Sequence, residues 1–343
     1  MKDGRPLVSF VVQRAAAPSF RLRFRALRPY LEDEAGLAVE EIVLPRRPEW
    51  VRAWRLHHRW SESDILVFSK LKLLAGELGF VARRCRRWVL DVDDAVMFAR
   101  PRRHGDPPDT SWWRRRRFRR MVDRCSLVVA GSNSLAEMIE GRPGRLEVWP
   151  TPVDMSHNPE APEEERSPLR IAWIGLGENL RYLEDLAPVL REVSNDGPPF
   201  ELRVISDRLP DLPGVPCRLV PWSETGEGRD LAECDLGVAP MADDRWTRGK
   251  GGYRCIQYAA AGLATVTSPV GANTEIVQPG DTGLWASSPG EWKAALTLLL
   301  TDSTQRRRMG RRARELAAQR YALESLGPVY AGWLAALVSG DVR

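Results

Sequence analysis

The sequence predicts an α/β protein built from two doubly wound parallel-sheet domains. Three observations carry that prediction. Short, β-branched, mostly continuously apolar runs recur along the 343 residues. Amphipathic stretches of helical length lie between most of them. A polar Pro/Glu-rich segment without periodicity, SHNPEAPEEERSP (156–168), divides the runs into two sets. Strands alternating with helices imply right-handed βαβ units and parallel sheets. Runs that are apolar throughout suit strands buried on both faces. Ligands of such sheets bind beyond the carboxyl ends of the strands, so the expected site is a cleft between the two domains.

The strands of the first half are read at LVSFVV (7–12), LAVEEIVL (37–44), DILVFS (64–69), RWVLDV (87–92) and SLVVAGS (126–132). Charged and proline residues bracket the first of these, which makes it a buried strand rather than a signal peptide. Those of the second half are LRIAWIG (169–175), FELRVIS (200–206), CRLVPW (217–222), DLGVAP (235–240), LATVTSP (263–269) and GLWA (283–286). The reading gives a first domain over 1–160 and a second over 167–320. A closing segment, 321–343, holds a helix at 321–338 that is expected to pack back toward the first domain.

Composition narrows the class. At 43% hydrophobic residues the chain can bury a large core. No uncharged apolar run reaches about 18 residues, the length a transmembrane helix needs. The five cysteines are odd in number and none are spaced as CxxC, which points away from a disulfide framework or zinc site and toward a reducing cytoplasm. The four histidines, among them the His57–His58 pair, show no metal-ligand spacing. Residues 1–155 carry 30 basic and 20 acidic side chains, a net of +10, and the remainder is net acidic. A basic half suits acidic partners such as nucleic acid, anionic lipid or a phosphorylated substrate.

Three motifs have a plain and a functional reading. GLGENL (175–180) follows a strand and opens a helix, like the dinucleotide fingerprint, but Leu180 stands where the third glycine belongs and the next strand-end acid, Asp207, comes late. An NAD-dependent oxidoreductase is kept as a rival on this motif alone. DVDD (91–94) offers Asp91, Asp93 and Asp94 at a strand end. A divalent ion needs a further ligand that the sequence does not show, so a hydrogen-bonding acidic cluster is preferred and no metal is expected. SWWRRRRFRR (111–120) is either a solvated helix face whose arginines snorkel over core tryptophans, or a surface for anionic membrane through 112–120. No RRM, KH or zinc-finger signature supports nucleic acid.

RGKGGYRCIQYAAAG (248–262) sets Arg248, Lys250 and Arg254 around glycines at the start of an alanine-rich helix. Helix N-termini offer unpaired N–H groups and a positive dipole end, and glycine lets an anion come close. A diphosphate needs compact positive charge and backbone donors. Lys250, Arg254 and the amides of Gly251, Gly252 and Tyr253 supply both.

This stretch and its sequel, DDRWTRGKGGYRCIQYAAAGLATVTSPVGANTEIVQPGDTGLWA (243–286), resemble glycosyltransferase family 4, retaining enzymes of the GT-B fold. VISD, ECDLGVAPM, the EIV at 275–277 and WKAALTLLLTDSTQRRRMGRRARE fit the same pattern, and WPTPVD (149–154) sits at the family's interdomain position. The resemblance is close over the second half and loose over the first. It implies two Rossmann-like domains facing across a cleft, with a nucleotide-sugar donor in the second. A glycan, lipid-linked or small-molecule acceptor would be held mainly by the first. Lys250 and Arg254 would neutralise the leaving diphosphate, the family's lysine falling on Arg254. An acceptor hydroxyl would attack from the front face, without a metal or other cofactor.

The resemblance places Gly175, Arg181, Arg248, Gly251, Gly252, Tyr253, Gln257 and Glu275 at the donor. Asp93, with Asp94 beside it, falls on the family's N-terminal histidine and joins the catalytic set. Ser19, Arg21, Arg23 and Asp91 are candidates for the acceptor side. Two departures stand out. The family's pair of glutamates falls on Gly249 and Gln257, and its first phosphate-binding arginine falls on Leu176. They motivate a second rival, a GT-B scaffold without chemistry. The expected location is the cytoplasm, peripheral at the inner face of the membrane.

Overall fold

A computed structural model describes residues 4–13, 15, 17–44, 63–70, 73, 77, 79, 85, 87–101, 111–161 and 166–340. His57, His58 and His104 lie outside the described residues. The chain forms two compact units. One comprises Met1–Pro152, Asp244–Gly251 and Leu323–Arg343, the other Val153–Asp243 and Gly252–Ala322. The segment Asp244–Gly251 thus belongs with the first half of the chain, where the sequence reading keeps all of 167–320 together. The helix Leu323–Ser339 is also part of the first unit.

The first unit is a parallel sheet of β1 (Leu7–Val12), β2 (Ala38–Val43), β3 (Ile65–Ser69), β4 (Trp88–Val92), β5 (Leu127–Ala130) and β6 (Leu146–Val148), in the order β2-β1-β3-β4-β5-β6. Alternate side chains go to opposite faces, and both faces are dry. Val8, Phe10, Val67, Val89 and Val129 line one face with Phe20 and Phe24 and with Tyr330 and Leu334 of the Leu323–Ser339 helix. Val11, Leu66, Phe68, Leu90 and Val128 line the other with Phe118, Met121 and Val122 of the Trp112–Val122 helix. Two covered faces are why the central strands β1, β3, β4 and β5 read as largely apolar runs. The strand β6 is absent from the sequence reading. It has three residues, and Leu146, its largest apolar side chain, is exposed.

The second unit repeats the plan with β7 (Leu169–Ile174), β8 (Phe200–Ser206), β9 (Cys217–Pro221), β10 (Leu236–Ala239), β11 (Ala264–Thr267) and β12 (Gly283–Trp285), in the order β12-β11-β10-β7-β8-β9. Trp173 and Val204 pack on helices Ala187–Asp196 and Pro289–Thr301. Ala172, Ile174 and Ile205 pack on the alanine-rich helix Tyr253–Ala260 and on Ser303–Arg320.

Strand order reverses at β7, which has β8 on one side and β10 on the other. The β7–β10 ladder is short, pairing only Ile171 with Leu236 and Ala172 with Gly237. Beyond it the strands part, and the Tyr258 hydroxyl serves the freed backbone. It accepts from the Ile174 N–H at 3.1 Å and lies 3.2 and 3.1 Å from the carbonyls of Ala172 and Val238. Burial pushes this phenol above its ordinary pKa. Glycine at 237 is required, because a Cβ there would stand 2.5 Å from the Tyr258 ring. The opening lies at the switch point of the sheet, where open α/β sheets bind ligands.

Candidate functional site

In the second unit the site is built around the start of the Tyr253–Ala260 helix. Gly252, which precedes it, has φ of +66°, and a Cβ there would meet Ile276 Cδ1 at 2.5 Å. Both the left-handed backbone and the close approach demand glycine. The helix start is thereby fixed against the turn Asn273–Ile276, which carries Glu275. Tyr253 and Arg254 form the first turn, and Gln257, three residues after Arg254, shares its helix face.

Arg254 reaches the parted strands. Its Nε–H donates to the Ile174 carbonyl at 2.6 Å, and its guanidinium stacks over the Trp173 ring at 4.5 Å. Gly175 leaves room for it, since a Cβ there would be 2.6 Å from Nη2. Arg254 pairs with no carboxylate among the described residues. Burial lowers its pKa below the ordinary arginine value, against the opposing influence of Tyr258, Cys255 and Tyr182.

Two further polar groups lie beside it. Gln257 is 6% exposed and makes no side-chain hydrogen bond among the described residues. The indole N–H of the fully buried Trp173 has no partner among the described residues. Buried polar groups are almost always partnered. A cation with no carboxylate partner among the described residues, beside an unmet indole N–H and the Gln257 amide at a switch point, suits an anion that carries hydrogen-bonding substituents.

Arg181 turns onto its neighbour, donating to the Tyr182 hydroxyl at 2.6 Å with its guanidinium 4.7 Å from that ring. The preceding turn is differently occupied. The Gly177 N–H donates to Asp207 Oδ1 at 2.6 Å, a bond that holds Asp207 below the usual carboxylate range. A carboxylate therefore sits on the backbone donor that a dinucleotide pyrophosphate would use, which argues against the NAD reading of GLGENL. Leu176 is exposed.

In the first unit, Asp244–Gly251 is anchored to the carboxyl ends of the strands. Asp244 accepts from the N–H groups of Trp246 and Thr247 at 2.8 and 2.9 Å, and Trp246 packs on the apolar cluster under β4 and β5. The Gly251 N–H donates to the Asp93 carbonyl at 3.0 Å. The Gly251 amide, expected to face a diphosphate, is thus already engaged within the fold. At Gly249 a Cβ would fall 2.4 Å from the Ala95 Cβ, so a glutamate does not fit where the chain now runs. Arg248 is exposed and Lys250 partly buried. Lys250 and Arg254 belong to different units.

Asp93 and Asp94 share a partner that the sequence reading missed. Lys70 Nζ lies 2.6 Å from Asp93 Oδ1 and 2.5 Å from Asp94 Oδ2. Burial would lower the Lys70 pKa, but the pull of the two carboxylates raises it. Lys70 has φ of +52°, the left-handed region that non-glycine residues rarely enter. Its one sequence signal is its position, just past the end of β3.

Arg23 and Asp91 are corrected more sharply. They are 0% and 1% exposed, so neither is open to an acceptor. Arg23 donates to Asp91 through Nε at 2.8 Å and Nη2 at 3.2 Å, to Thr151 Oγ1 at 3.0 Å and to the Trp149 carbonyl at 3.0 Å. Tyr330 donates to Asp91 at 3.1 Å. This is a closed internal network. Ser19 and Arg21 lie partly exposed on the turns Pro18–Phe20 and Arg21–Arg25. Among the described residues no group of three His, Cys, Asp or Glu side chains could hold a metal ion.

Residues 231–316 match the family described as Glycosyl transferases group 1, a span that includes Lys250, Arg254, Gln257 and Glu275. No curated protein matches the chain in sequence. Solved structures match its fold over nearly its whole length. Sucrose-phosphate synthase from Thermosynechococcus elongatus superposes with a TM-score of 0.77 at 14% identity, over 98% of this chain and 100% of that one. HepE of Anabaena in complex with UDP and glucose gives 0.72 at 14%, over 97% and 100%. A glycosyltransferase from Rickettsia africae gives 0.68 at 10%, over 98% and 100%. The chain has the GT-B fold, and the family match supports glycosyl transfer as its activity.

Proposed function

We propose that the protein is a retaining glycosyltransferase that moves a sugar from a nucleotide-sugar donor to an acceptor hydroxyl without a metal. The observation that carries this reading is Arg254, a partly buried cation at the switch point of the second unit with no carboxylate partner among the described residues. A departing diphosphate is the charge it is placed to meet. Preorganised charge at a leaving group, in a site with little water, is where such a site gains most of its rate. Gln257, on the same helix face, donates and accepts hydrogen bonds as a ribose diol requires. HepE, which shares the fold, is described with UDP and glucose bound. In this reading an acceptor hydroxyl attacks from the face the nucleotide leaves, and the leaving phosphate takes its proton.

A second reading has a specific observation behind it. Gly249 closes the position of the family's first glutamate against Ala95, as expected of a GT-B scaffold that has lost transfer. A thermal-shift panel of UDP, GDP, ADP and NAD in EDTA separates the cases. A ligand at a hundred times its Kd adds about 2.7 kcal/mol of stability. Stabilisation by one of the nucleoside diphosphates is expected. Stabilisation by NAD alone would return the oxidoreductase, and by none of the four the scaffold.

A further inference from the structure

The chain has two arginine-rich helices, and their surroundings differ. In Ser303–Arg320 most of the arginines are engaged within the protein. Arg312 pairs with Asp281 and Glu315, Arg314 pairs with Glu160, Arg308 donates to the Gly280 carbonyl, and the buried Arg306 donates to the Leu299 carbonyl. In Trp112–Val122 the core stripe is Phe118, Met121 and Val122. At 100° per residue, the opposite face carries Trp112 and Trp113 at its first turn, then Arg116, Arg119 and Arg120, with Arg124 just beyond its end.

All six of these side chains are exposed. Arg119, Arg120 and Arg124 have no carboxylate partner among the described residues. Trp112 and Trp113 are 54% and 69% exposed, so they do not form the core under snorkelling arginines that the plain reading required. Two adjacent exposed tryptophans are a large apolar area to leave in water.

We infer that this outer face is a seat for an anionic bilayer surface. The tryptophans would enter the headgroup interface, where their amphipathic rings are favoured. The arginines behind them would meet lipid phosphates. The arrangement suits a bilayer better than a single-stranded nucleic acid. Base stacking needs open aromatic faces along a basic groove. Here both tryptophans sit at one end and pack edge to face on each other, centroids 4.5 Å apart at 70°. Arg116 already covers the Trp112 ring at 4.8 Å.

The test is co-sedimentation of the full chain with phosphatidylcholine vesicles, with and without phosphatidylglycerol. The expected result is binding only to the anionic vesicles, weakening as salt rises. Each arginine near such a surface is worth about fivefold in partitioning, so replacing Arg116, Arg119, Arg120 and Arg124 with serine should lower binding on the order of a hundredfold or more. Replacing Trp112 and Trp113 with serine should lower it too, at unchanged net charge. Because these side chains are exposed, every variant should melt where the parent does, and a melting curve checks it. Equal binding to neutral and anionic vesicles, or undiminished binding by the tryptophan variant, would each overturn the inference.

Discussion

Arg23 and Arg254 both bring a guanidinium to the carboxyl end of a central strand, one in each unit. Arg23 meets the Asp91 carboxylate, a hydroxyl and a carbonyl, and Tyr330 completes the other side of that carboxylate. Arg254 meets one carbonyl and the face of Trp173. Sequence reasoning offers both to ligands, Arg254 to the leaving diphosphate and Arg23 to the acceptor. The structure separates them by their partners. A cation neutralised inside the fold holds elements together. One left unneutralised at a switch point has charge available for a ligand. The lesson is that the function of a buried arginine lies in whether its counter-charge belongs to the protein.

The largest effect that tests this contrast is on stability. Arg23→Met leaves the Asp91 carboxylate buried without its cation, and breaking a buried pair in this way costs about 3–5 kcal/mol. Urea denaturation should show that loss, and Arg23→Met combined with Asp91→Leu should recover part of it by removing the stranded charge. If Arg23→Met costs less than about 1 kcal/mol, a typical surface change, the network is not the brace described.

The smallest effect concerns Asp207 and should appear only in acid. Its folded pKa lies below the unfolded value because Gly177 donates to the carboxylate. Its stabilising contribution is therefore complete above about pH 4, the ordinary aspartate value, and is lost as pH falls through the lower folded value. Asp207→Asn should flatten the acid end of the stability profile. Wild type and variant that lose stability in parallel between about pH 4 and 2 would show that the bond to Gly177 contributes nothing.

Among the described residues eleven of the twelve strands were legible in the sequence, most clearly the central ones, whose two covered faces leave an apolar run. The twelfth, β6, is short and half-exposed, and nothing in its three residues separates it from a loop. The basic-glycine loop and the alanine-rich helix were also legible, from glycine, charge and position. What was not legible is which partner each charge finds. That Asp244–Gly251 goes with the first unit depends on Gly251 meeting Asp93 and Gly249 meeting Ala95, contacts between residues far apart in the chain. Lys70 joins Asp93 and Asp94 for the same non-local reason. Asp91 looked like its neighbours in DVDD, yet it points into the core while they follow the strand's end.

The central claim rests on Arg254, and one calorimetric experiment meets it directly. The nucleoside diphosphate that stabilises the wild type is titrated into wild type and Arg254→Met, and the melting temperature of each is recorded. A charge-assisted contact to phosphate is worth about 1.5–3 kcal/mol, so affinity should fall roughly ten- to hundredfold. Melting should be unchanged or higher, because the variant removes a desolvated charge that no carboxylate among the described residues compensates. Unchanged affinity, or a loss of stability as large as that of Arg23→Met, would contradict the account and make Arg254 a second structural brace.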